Sequence, residues 1–388
     1  MQLTISDAVK YIGVDDLDLD LFESQYVVPE GVSYNSYLIM DEKVAVMDTV
    51  DARGMDAWEE NLKRELGDRA PDYLVISHME PDHSGSLARL IELYPDVTLV
   101  GNAKTFQMVT NFFGESLNDV KKMTVGEGDT LELGSHTLTF YLAPMVHWPE
   151  VMVSYESSEK ILFSADAFGK FGALSKDDGD WACEARRYYF NIVGKYGQPV
   201  QKLLAKFNDT PVSMICPLHG PVLKDNLETY IKLYDTWSKY EPEDKGVLVA
   251  YASIHGNTAV AAKKLANMLE KAGAEKVALA DLCRGDMAEA IEDAFRYDRM
   301  VLCAASYDGG VFPPMEDFLH HLKSKMYQNR KIGILENGSW GPTAARTMKG
   351  ILEGMKDLTL VEQTVTIRSK MKGSDIPAMQ ELAKAMCE

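Results

Sequence analysis

Short apolar runs separated by polar turns mark the first part of the chain, up to about residue 240. The run at residues 73–77 predicts a buried strand, and the spacing of Leu87, Leu90 and Tyr94 predicts a helix that starts near Ser84 and Gly85. Short strands recur through this part before helical patterns follow them. The pattern predicts an αββα sandwich over residues 1–240.

Beyond a polar segment at residues 241–246, which we interpret as a linker, strands and helices alternate strictly. Predicted strands cover residues 246–251, 276–280, 300–305, 331–335 and 358–361. Helical patterns separate them, so residues 247–388 are predicted to form a doubly wound sheet of five parallel strands. Ligands of such sheets bind beyond the carboxyl ends of the strands.

Length and composition indicate the number of domains and disfavour several classes of binding partner. A chain of 388 residues fits two domains, and its formal net charge of −19 disfavours nucleic acid or an anionic membrane surface as a partner. No apolar run is long enough to span a membrane, and the N-terminus lacks a signal-peptide pattern. The five cysteines contain no Cys-x-x-Cys pair, so we expect no disulfide framework and a cytoplasmic location.

Four potential metal ligands follow the predicted strand at residues 73–77. They are His78, Glu80, Asp82 and His83, within a run of six residues. Imidazole and carboxylate groups at alternate positions of a strand-to-helix turn are costly to bury without a cation. The alternative is a solvated acidic loop, and the rest of the sequence disfavours it.

Three further ligand types stand at the ends of predicted strands: His147, Asp166 and His219. Each residue alone would more often be structural than functional. Four strand ends that each deliver a ligand type predict a site for two metal ions.

The spacing His-x-Glu-x-Asp-His resembles the metallo-β-lactamase superfamily, whose hydrolytic members carry His-x-His-x-Asp-His at this turn. Glu80 stands where the hydrolases have their second histidine. Added carboxylate favours iron over zinc, because harder oxygen ligands support a ferric ion. Glutamate at this position is typical of flavodiiron proteins (A-type flavoproteins), which the chain resembles along nearly its whole length.

That resemblance implies residue roles. One iron is expected on His78, Glu80 and His147, the other on Asp82 and His219, with Asp166 bridging the pair. His83 is expected either to bind iron or to support a ligand, and Trp148 is expected near a subunit junction. In the segment of residues 21–25, where the family often has a pocket histidine, Glu23 stands instead.

The predicted C-terminal sheet carries three candidate cofactor loops. The first resembles the phosphate loop of flavodoxins, and it contains no Gly-x-Gly-x-x-Gly or Gly-Lys-[Ser/Thr] motif. The second and third each offer an aromatic side chain, Tyr307 and Trp340, to stack on a flavin or to lie on the surface. The loops are Ser253, Ile254, His255, Gly256, Asn257, Thr258; Ser306, Tyr307, Asp308, Gly309, Gly310; and Asn337, Gly338, Ser339, Trp340, Gly341.

The resemblance therefore implies an oxidoreductase with FMN and a non-haem diiron centre, which reduces O₂ to water, NO to N₂O, or both. A fused rubredoxin domain would need Cys-x-x-Cys pairs, so a separate rubredoxin-like donor or flavin reductase is expected. A head-to-tail homodimer, possibly a tetramer, is also implied. The alternatives are a di-zinc hydrolase fused to a flavodoxin and a non-enzymatic redox relay.

Overall fold

The computed structural model describes residues 5–177 and 179–388, and the chain divides into two units. The first, here the N-terminal unit, comprises Met1–Tyr189 and Gln198–Tyr234; the C-terminal unit comprises Phe190–Gly197 and Asp235–Glu388. The predicted domain bounds, 1–240 and 247–388, stay a prediction. Within the described residues no helix is long and apolar enough to cross a membrane.

Two main β-sheets and two small two-stranded ones form the N-terminal unit. The strands are β1 (Val9–Tyr11), β2 (Val14–Asp16), β3 (Leu21–Phe22), β4 (Tyr26–Val27), β5 (Val32–Tyr34), β6 (Tyr37–Met40), β7 (Val44–Met47), β8 (Tyr73–Val75), β9 (Thr98–Gly101), β10 (Lys122–Thr124), β11 (Thr130–Glu132), β12 (Thr137–Leu142), β13 (Met152–Glu156), β14 (Ile161–Phe163) and β15 (Met214–Cys216). The helices up to Ser238 are α1 (Met55–Leu66), α2 (Pro81–Ser84), α3 (Leu87–Leu93), α4 (Ala103–Phe113), α5 (Ala182–Tyr188), α6 (Gly197–Lys206) and α7 (Leu227–Ser238).

The two main sheets pack face to face. Their strand orders are β1-β6-β7-β8-β9-β10 and β11-β12-β13-β14-β15. One apolar core joins them, with Ile39 and Val75 from the first sheet and Leu138 and Phe163 from the second, all buried. The sandwich predicted from the apolar runs is confirmed.

Strand register brings candidate ligands together at one edge of the sandwich. In the parallel pair β14 and β15, Phe163 is the partner of Cys216. Asp166 and His219 each follow three residues beyond those partners, so the two loops deliver their side chains at the same height.

Five parallel strands form the C-terminal sheet, in the order β17-β16-β18-β20-β21, as predicted. The elements are β16 (Asp244–Ala252), α8 (Asn257–Lys271), β17 (Val277–Asp281), α9 (Met287–Arg296), β18 (Tyr297–Tyr307), β19 (Gly310–Val311), α10 (Pro313–Ser324), β20 (Arg330–Asn337), α11 (Ala344–Leu352), β21 (Leu358–Ile367) and α12 (Ile376–Cys387). The short strand β19 is antiparallel to the end of β18.

The first strand of this sheet begins earlier than predicted. Residues 244–246 were expected in the linker, but β16 starts at Asp244, which pairs with Tyr297 before a register shift. The Asp244 carboxylate binds Arg296 at 2.8 Å and Lys276 at 2.9 Å. The charge of Asp244 contributed to the prediction of a linker, and these two ion pairs compensate that charge within the folded sheet.

A buried hydrogen-bond chain fixes α1 to the segment beneath the candidate metal turn. The indole Nε1 of Trp58 donates to Ser36 Oγ at 3.0 Å, and that hydroxyl donates to the carbonyl of Asp48 at 2.7 Å. Trp58 and Ser36 are both fully buried.

We expect Ser36→Ala to lower the free energy of unfolding by about 1–3 kcal/mol, because the Trp58 N–H would be left buried without an acceptor. Urea unfolding followed by tryptophan fluorescence measures the change. The exposed Ser175→Ala is the matched control and should behave as wild type. A Ser36→Ala protein within about 0.5 kcal/mol of wild type would contradict this prediction.

Candidate metal centre and cofactor loops

The turn from His78 to His83 is held from below by Asp48. Oδ1 of this buried carboxylate accepts hydrogen bonds from the backbone N–H of Ser77 at 2.7 Å and of His78 at 3.3 Å. Burial raises the pKa of Asp48 to about 6, although these donors and the nearby His83 oppose that rise. Asp48 itself adopts left-handed backbone, with φ of 56°.

A single helical turn, α2, presents Asp82 and His83. The sequence predicted a helix starting near Ser84, but α2 already begins at Pro81 and α3 follows separately at Leu87. Proline suits the first helical position because its φ is preset and its missing N–H would be unpaired there anyway. The turn places Asp82 and His83 on the same short element.

The structure gathers the seven candidate ligands into two groups. One contains His78, Glu80, His147 and Asp166, and the other contains Asp82, His83 and His219. Within each group the ligand atoms lie within 4.8 Å of one another. The first group is here called the first metal group and the second the second metal group.

Asp166 lies between the two groups. Its Oδ2 is 3.3 Å from Nε2 of His78 and 3.2 Å from Nε2 of His147. Its Oδ1 is 3.2 Å from Nε2 of His83 and 3.7 Å from Nε2 of His219. Each carboxylate oxygen thus faces a different group, which is the position of a bridging ligand.

Many of these atoms approach each other without forming hydrogen bonds. Among the described residues, both oxygens of Asp82 and of Asp166 are buried and unpaired, as is Nε2 of His83, His147 and His219. Buried polar atoms without partners are rare and costly. Donor atoms that converge in this way fit bound cations, and imidazole with carboxylate is a donor set suited to iron.

Two of the imidazoles are oriented through their other nitrogen. His78 Nδ1 donates to Glu150 Oε1 at 2.7 Å, and His219 Nδ1 donates to the carbonyl of Ser33 at 2.7 Å. These bonds leave Nε2 available for a cation. His83 differs, since within the described residues its Nδ1 has no hydrogen-bond partner.

Opposite charges inside the cluster shift the pKa values of its histidine and carboxylate side chains. Burial would lower the pKa of His147, but the carboxylates of Asp166 and Glu80 outweigh it and raise that pKa to about 9. Burial would raise the pKa of Glu80, but His147 and His78 hold it well below its usual range. The pKa of Asp166 is also depressed, by His78 and His83 against burial.

Sequence reasoning missed the residues that orient the ligands. Asp48, Glu150 and Ser33 contact ligand residues, yet none stands in a motif. Glu150 follows His147, Trp148 and Pro149 in the sequence, and only the structure shows that its side chain is buried. Trp148 packs edge-on against His78, with ring centroids 5.1 Å apart.

Glu23 stands beside the first metal group. It lies in the turn between β3 and β4, and its Oε2 accepts a hydrogen bond from Nε2 of Gln25 at 3.1 Å. Burial and the Glu80 charge raise the pKa of Glu23 to about 7. A role for Glu23 in a substrate pocket stays a prediction.

The first cofactor loop joins β16 to α8 as predicted. Gly256 has φ of 84° and precedes α8, whose first turn receives no side-chain cap. The hydroxyl of Ser253 is buried and, among the described residues, unpaired. An uncapped helix N-terminus beside a free hydroxyl fits a phosphate group.

The other two loops lie at the same carboxyl edge of the sheet. Asp308 and Gly309 form a tight turn with φ of 45° and 74°. The Ser306 hydroxyl accepts from the N–H groups of Thr343 and Ala344, so it supports α11. Asn337 donates to Thr258 Oγ1 at 3.3 Å, which ties the third loop to the first.

The aromatic side chains of these loops are available to a ligand. Trp340 is 94% exposed and Tyr307 is 45% exposed. Flavin stacking by either ring, and the contacts of Ile254, His255, Asn257, Gly310, Gly338, Ser339 and Gly341 with the cofactor, stay predictions.

Comparisons with known proteins agree with this architecture. A family profile described as "ODP family beta lactamase" matches residues 32–220. An uncharacterized protein of Methanocaldococcus jannaschii is 26% identical over 100% of this chain and 98% of its own length. The anaerobic nitric oxide reductase flavorubredoxin of Citrobacter koseri is 27% identical over 98% of this chain and 80% of its own.

A solved structure extends the agreement to the whole fold. The rubredoxin oxygen:oxidoreductase of Desulfovibrio gigas matches with a TM-score of 0.93 and 25% identity, covering 100% of this chain and 98% of that one. Fold and site thus define a metallo-β-lactamase-like domain joined to a flavodoxin-like domain. The chain is similar to flavodiiron proteins along its whole length.

We expect Glu150→Gln to weaken iron binding about tenfold or more, because the charge that orients and supports the His78 imidazole is lost. Chelator competition for Fe²⁺ under anaerobic conditions measures the affinity. Glu115→Gln, the same change at an exposed site of the same unit, is the control. Equal affinities in the Glu150→Gln and wild-type proteins would show that this carboxylate does not support the site.

Iron affinity should also depend on pH. Below about pH 9 the His147 ring of the metal-free protein holds a proton, because its pKa is raised to about 9. A cation must displace that proton, so the apparent Fe²⁺ affinity should rise between pH 6 and pH 9, by about tenfold per unit for each proton released. Calorimetry in buffers of different ionisation enthalpy counts those protons. A flat affinity across this range would refute the coupling.

Proposed function

We propose that this protein reduces O₂ to water, or NO to N₂O, at two irons bound by the N-terminal unit, with electrons delivered through FMN on the C-terminal unit. The observation that carries the proposal is Asp166, a fully buried carboxylate whose two oxygens face two separate groups of ligands. The names of the relatives, a nitric oxide reductase and an oxygen oxidoreductase, agree with either diatomic substrate.

His78, Glu80 and His147 would hold one iron, and Asp82 and His219 the other, with Asp166 shared between them. We add His83 to the second iron, because its Nε2 lies 3.2 Å from Asp166 Oδ1 and 3.4 Å from Asp82 Oδ2. Bound irons supply redox chemistry and stabilise negative charge on a diatomic substrate.

The side chains around the ligands keep the site dry and ordered. His78, His83, Asp166 and His219 expose at most 1% of their side chains. Low exposure strengthens the attraction between the carboxylates and a cation, since little water screens it. Trp148 covers the His78 and His147 rings from one side.

A di-zinc hydrolase is the alternative that Glu80 disfavours. Its Oε2 lies 3.0 Å from Nε2 of His147 and 3.2 Å from Nε2 of His78, so a carboxylate occupies the place of the hydrolase imidazole. That exchange adds negative charge to the first metal group. More negative charge stabilises a ferric ion relative to a ferrous one and favours iron over zinc.

The C-terminal unit would bind FMN with its phosphate at the start of α8. The buried Ser253 hydroxyl and the uncapped first turn of α8 would donate to the phosphate. FMN transfers two electrons but accepts them singly, so it connects the irons to a one-electron donor. That donor would be a separate rubredoxin-like protein or a flavin reductase. A cytoplasmic, head-to-tail homodimer, possibly a tetramer, completes the proposal.

We expect the purified protein to carry about two irons and one FMN per chain and to consume O₂ or NO when reduced. Elemental analysis, flavin absorbance and anaerobic stopped-flow mixing with each gas test this. Asp82→Ala should lose iron and turnover but keep FMN, and Thr258→Glu should lose FMN but keep iron. Two zinc ions per chain, with no gas consumption after iron reconstitution, would instead favour the hydrolase.

A further inference from the structure

Positive charge is concentrated beside the third candidate cofactor loop of the C-terminal unit. The whole chain carries 40 lysine and arginine residues against 59 aspartate and glutamate residues. Residues 339–372 reverse this balance, because they contain six lysine and arginine residues and only Glu353, Asp357 and Glu362 as acidic residues. Five of the six cations, here called the basic surface, lie on α11 and on the loop after β21: Arg346, Lys349, Arg368, Lys370 and Lys372.

The loop after β21 packs directly on the third cofactor loop. Ile367, the last residue of β21, is the strand partner of Asn337, so the two loops leave the sheet at the same edge. The Ser369 hydroxyl donates to Ser339 Oγ at 2.7 Å, and the side-chain amide of Asn337 donates to the carbonyl of Ser369 at 2.8 Å. These bonds hold the cations of the loop close to the exposed Trp340.

The two cations of α11 line an open groove between that helix and β21. The groove has a volume of about 590 Å³ and includes Arg346, Lys349 and Thr366. The buried carboxylate of Glu336 also lines it, but both of its oxygens are occupied. They accept hydrogen bonds from the backbone N–H of Ala345 and from the hydroxyl of Thr366, each at 2.9 Å.

The cations of the basic surface are free to bind a partner. In the part of the chain that the structure describes, the side chains of Arg346, Lys349 and Lys370 form no hydrogen bond and no ion pair. The other two cations donate only to backbone carbonyls, which leave their charge uncompensated. Five such charges on one surface attract an anionic partner.

The charge of the rest of the chain indicates which kind of partner fits. A cationic carrier would be attracted to most of an acidic protein and would dock at many unproductive places. An acidic carrier is repelled from most of that protein and attracted here, so electrostatic steering would bring it to the flavin loops. Tryptophan and arginine are the side chains enriched at the energetic centre of protein interfaces. The Trp340 ring has two faces, one for a flavin and one for a partner.

We propose that the basic surface, together with Trp340, docks a small acidic protein that donates one electron at a time. This inference rests on the proposed function, because it requires FMN at the candidate loops. Two donor molecules, each oxidised by one electron, would supply the two electrons that FMN takes up with two protons from solvent.

The test variant is the triple substitution Arg346→Gln, Lys349→Gln and Lys370→Gln. It removes the three cations that form no bond to the protein, so the loops keep their own contacts. FMN reduction is followed by anaerobic stopped-flow at several salt concentrations, with a reduced rubredoxin of net negative charge as the donor. Calorimetry measures the binding of the oxidised rubredoxin.

Two controls separate docking from other effects. The triple variant Lys263→Gln, Lys264→Gln and Lys271→Gln makes the same change in net charge at exposed positions of α8 in the same unit. The radical cation of methyl viologen is a small donor that needs no protein surface to dock.

We expect rubredoxin to reduce the test variant about tenfold more slowly than wild type at low ionic strength, and to bind it more weakly. Both differences should vanish at about 1 M salt, where the Debye length is about 3 Å. Methyl viologen should reduce the test variant at least as fast as wild type, because the loss of positive charge does not repel a cation. The α8 control should match wild type, and FMN content should stay normal.

Equal rubredoxin rates in wild type and the test variant would overturn the inference, as would equal slowing of the α8 control. A wild-type protein that methyl viologen reduces and rubredoxin does not would also overturn it. Slower reduction by viologen, with dissociation of the oligomer seen by light scattering, would show instead that this surface joins two copies of the chain. Wild-type protein that binds no FMN would remove the proposed function, and the inference with it.

Discussion

Burial of the Asp166 carboxylate is the constraint on which the N-terminal unit depends. An ionised carboxylate without water must be compensated, and four imidazoles face its two oxygens at 3.2 to 3.7 Å. His78 and His83 come from one turn, and His147 and His219 come from two other loops, so the compensation works only if the strands keep their register. The pairing of Phe163 with Cys216 fixes that register for Asp166 and His219.

The loops at this edge adopt backbone conformations that would be unfavourable elsewhere. Asp48, Met145 and Ala165 are left-handed, with φ of 56°, 67° and 51°, and each stands beside or beneath a ligand. Such residues cost about 1–3 kcal/mol each and persist only where the surrounding structure determines them. The buried core between the two sheets supplies that support, so the site is built at the expense of some stability of the fold.

The features that could be predicted from the sequence are those that depend on a local pattern of residues. Apolar runs located the strands, and ligand types at strand ends located His147, Asp166 and His219 before any geometry was known. Asp48 and Glu150 could not be found in this way, because their role is to accept hydrogen bonds from the His78 segment across 30 and 72 positions of sequence. For the same reason the sequence did not show that the Ser306 hydroxyl supports α11, because only the folded sheet brings the first turn of that helix beside it. The contact of Ser306 with the flavin stays a prediction.

The two kinds of cofactor residue are segregated along the chain. Every candidate metal ligand belongs to the N-terminal unit, and all three flavin loops belong to the C-terminal unit. The two sites also differ in the charge of the group that each would bind. The metal site concentrates carboxylates that need a cation, whereas the first flavin loop, which lacks lysine and arginine, offers neutral donors to an anionic phosphate. The two candidate sites therefore differ in the charge of the group that each is suited to hold.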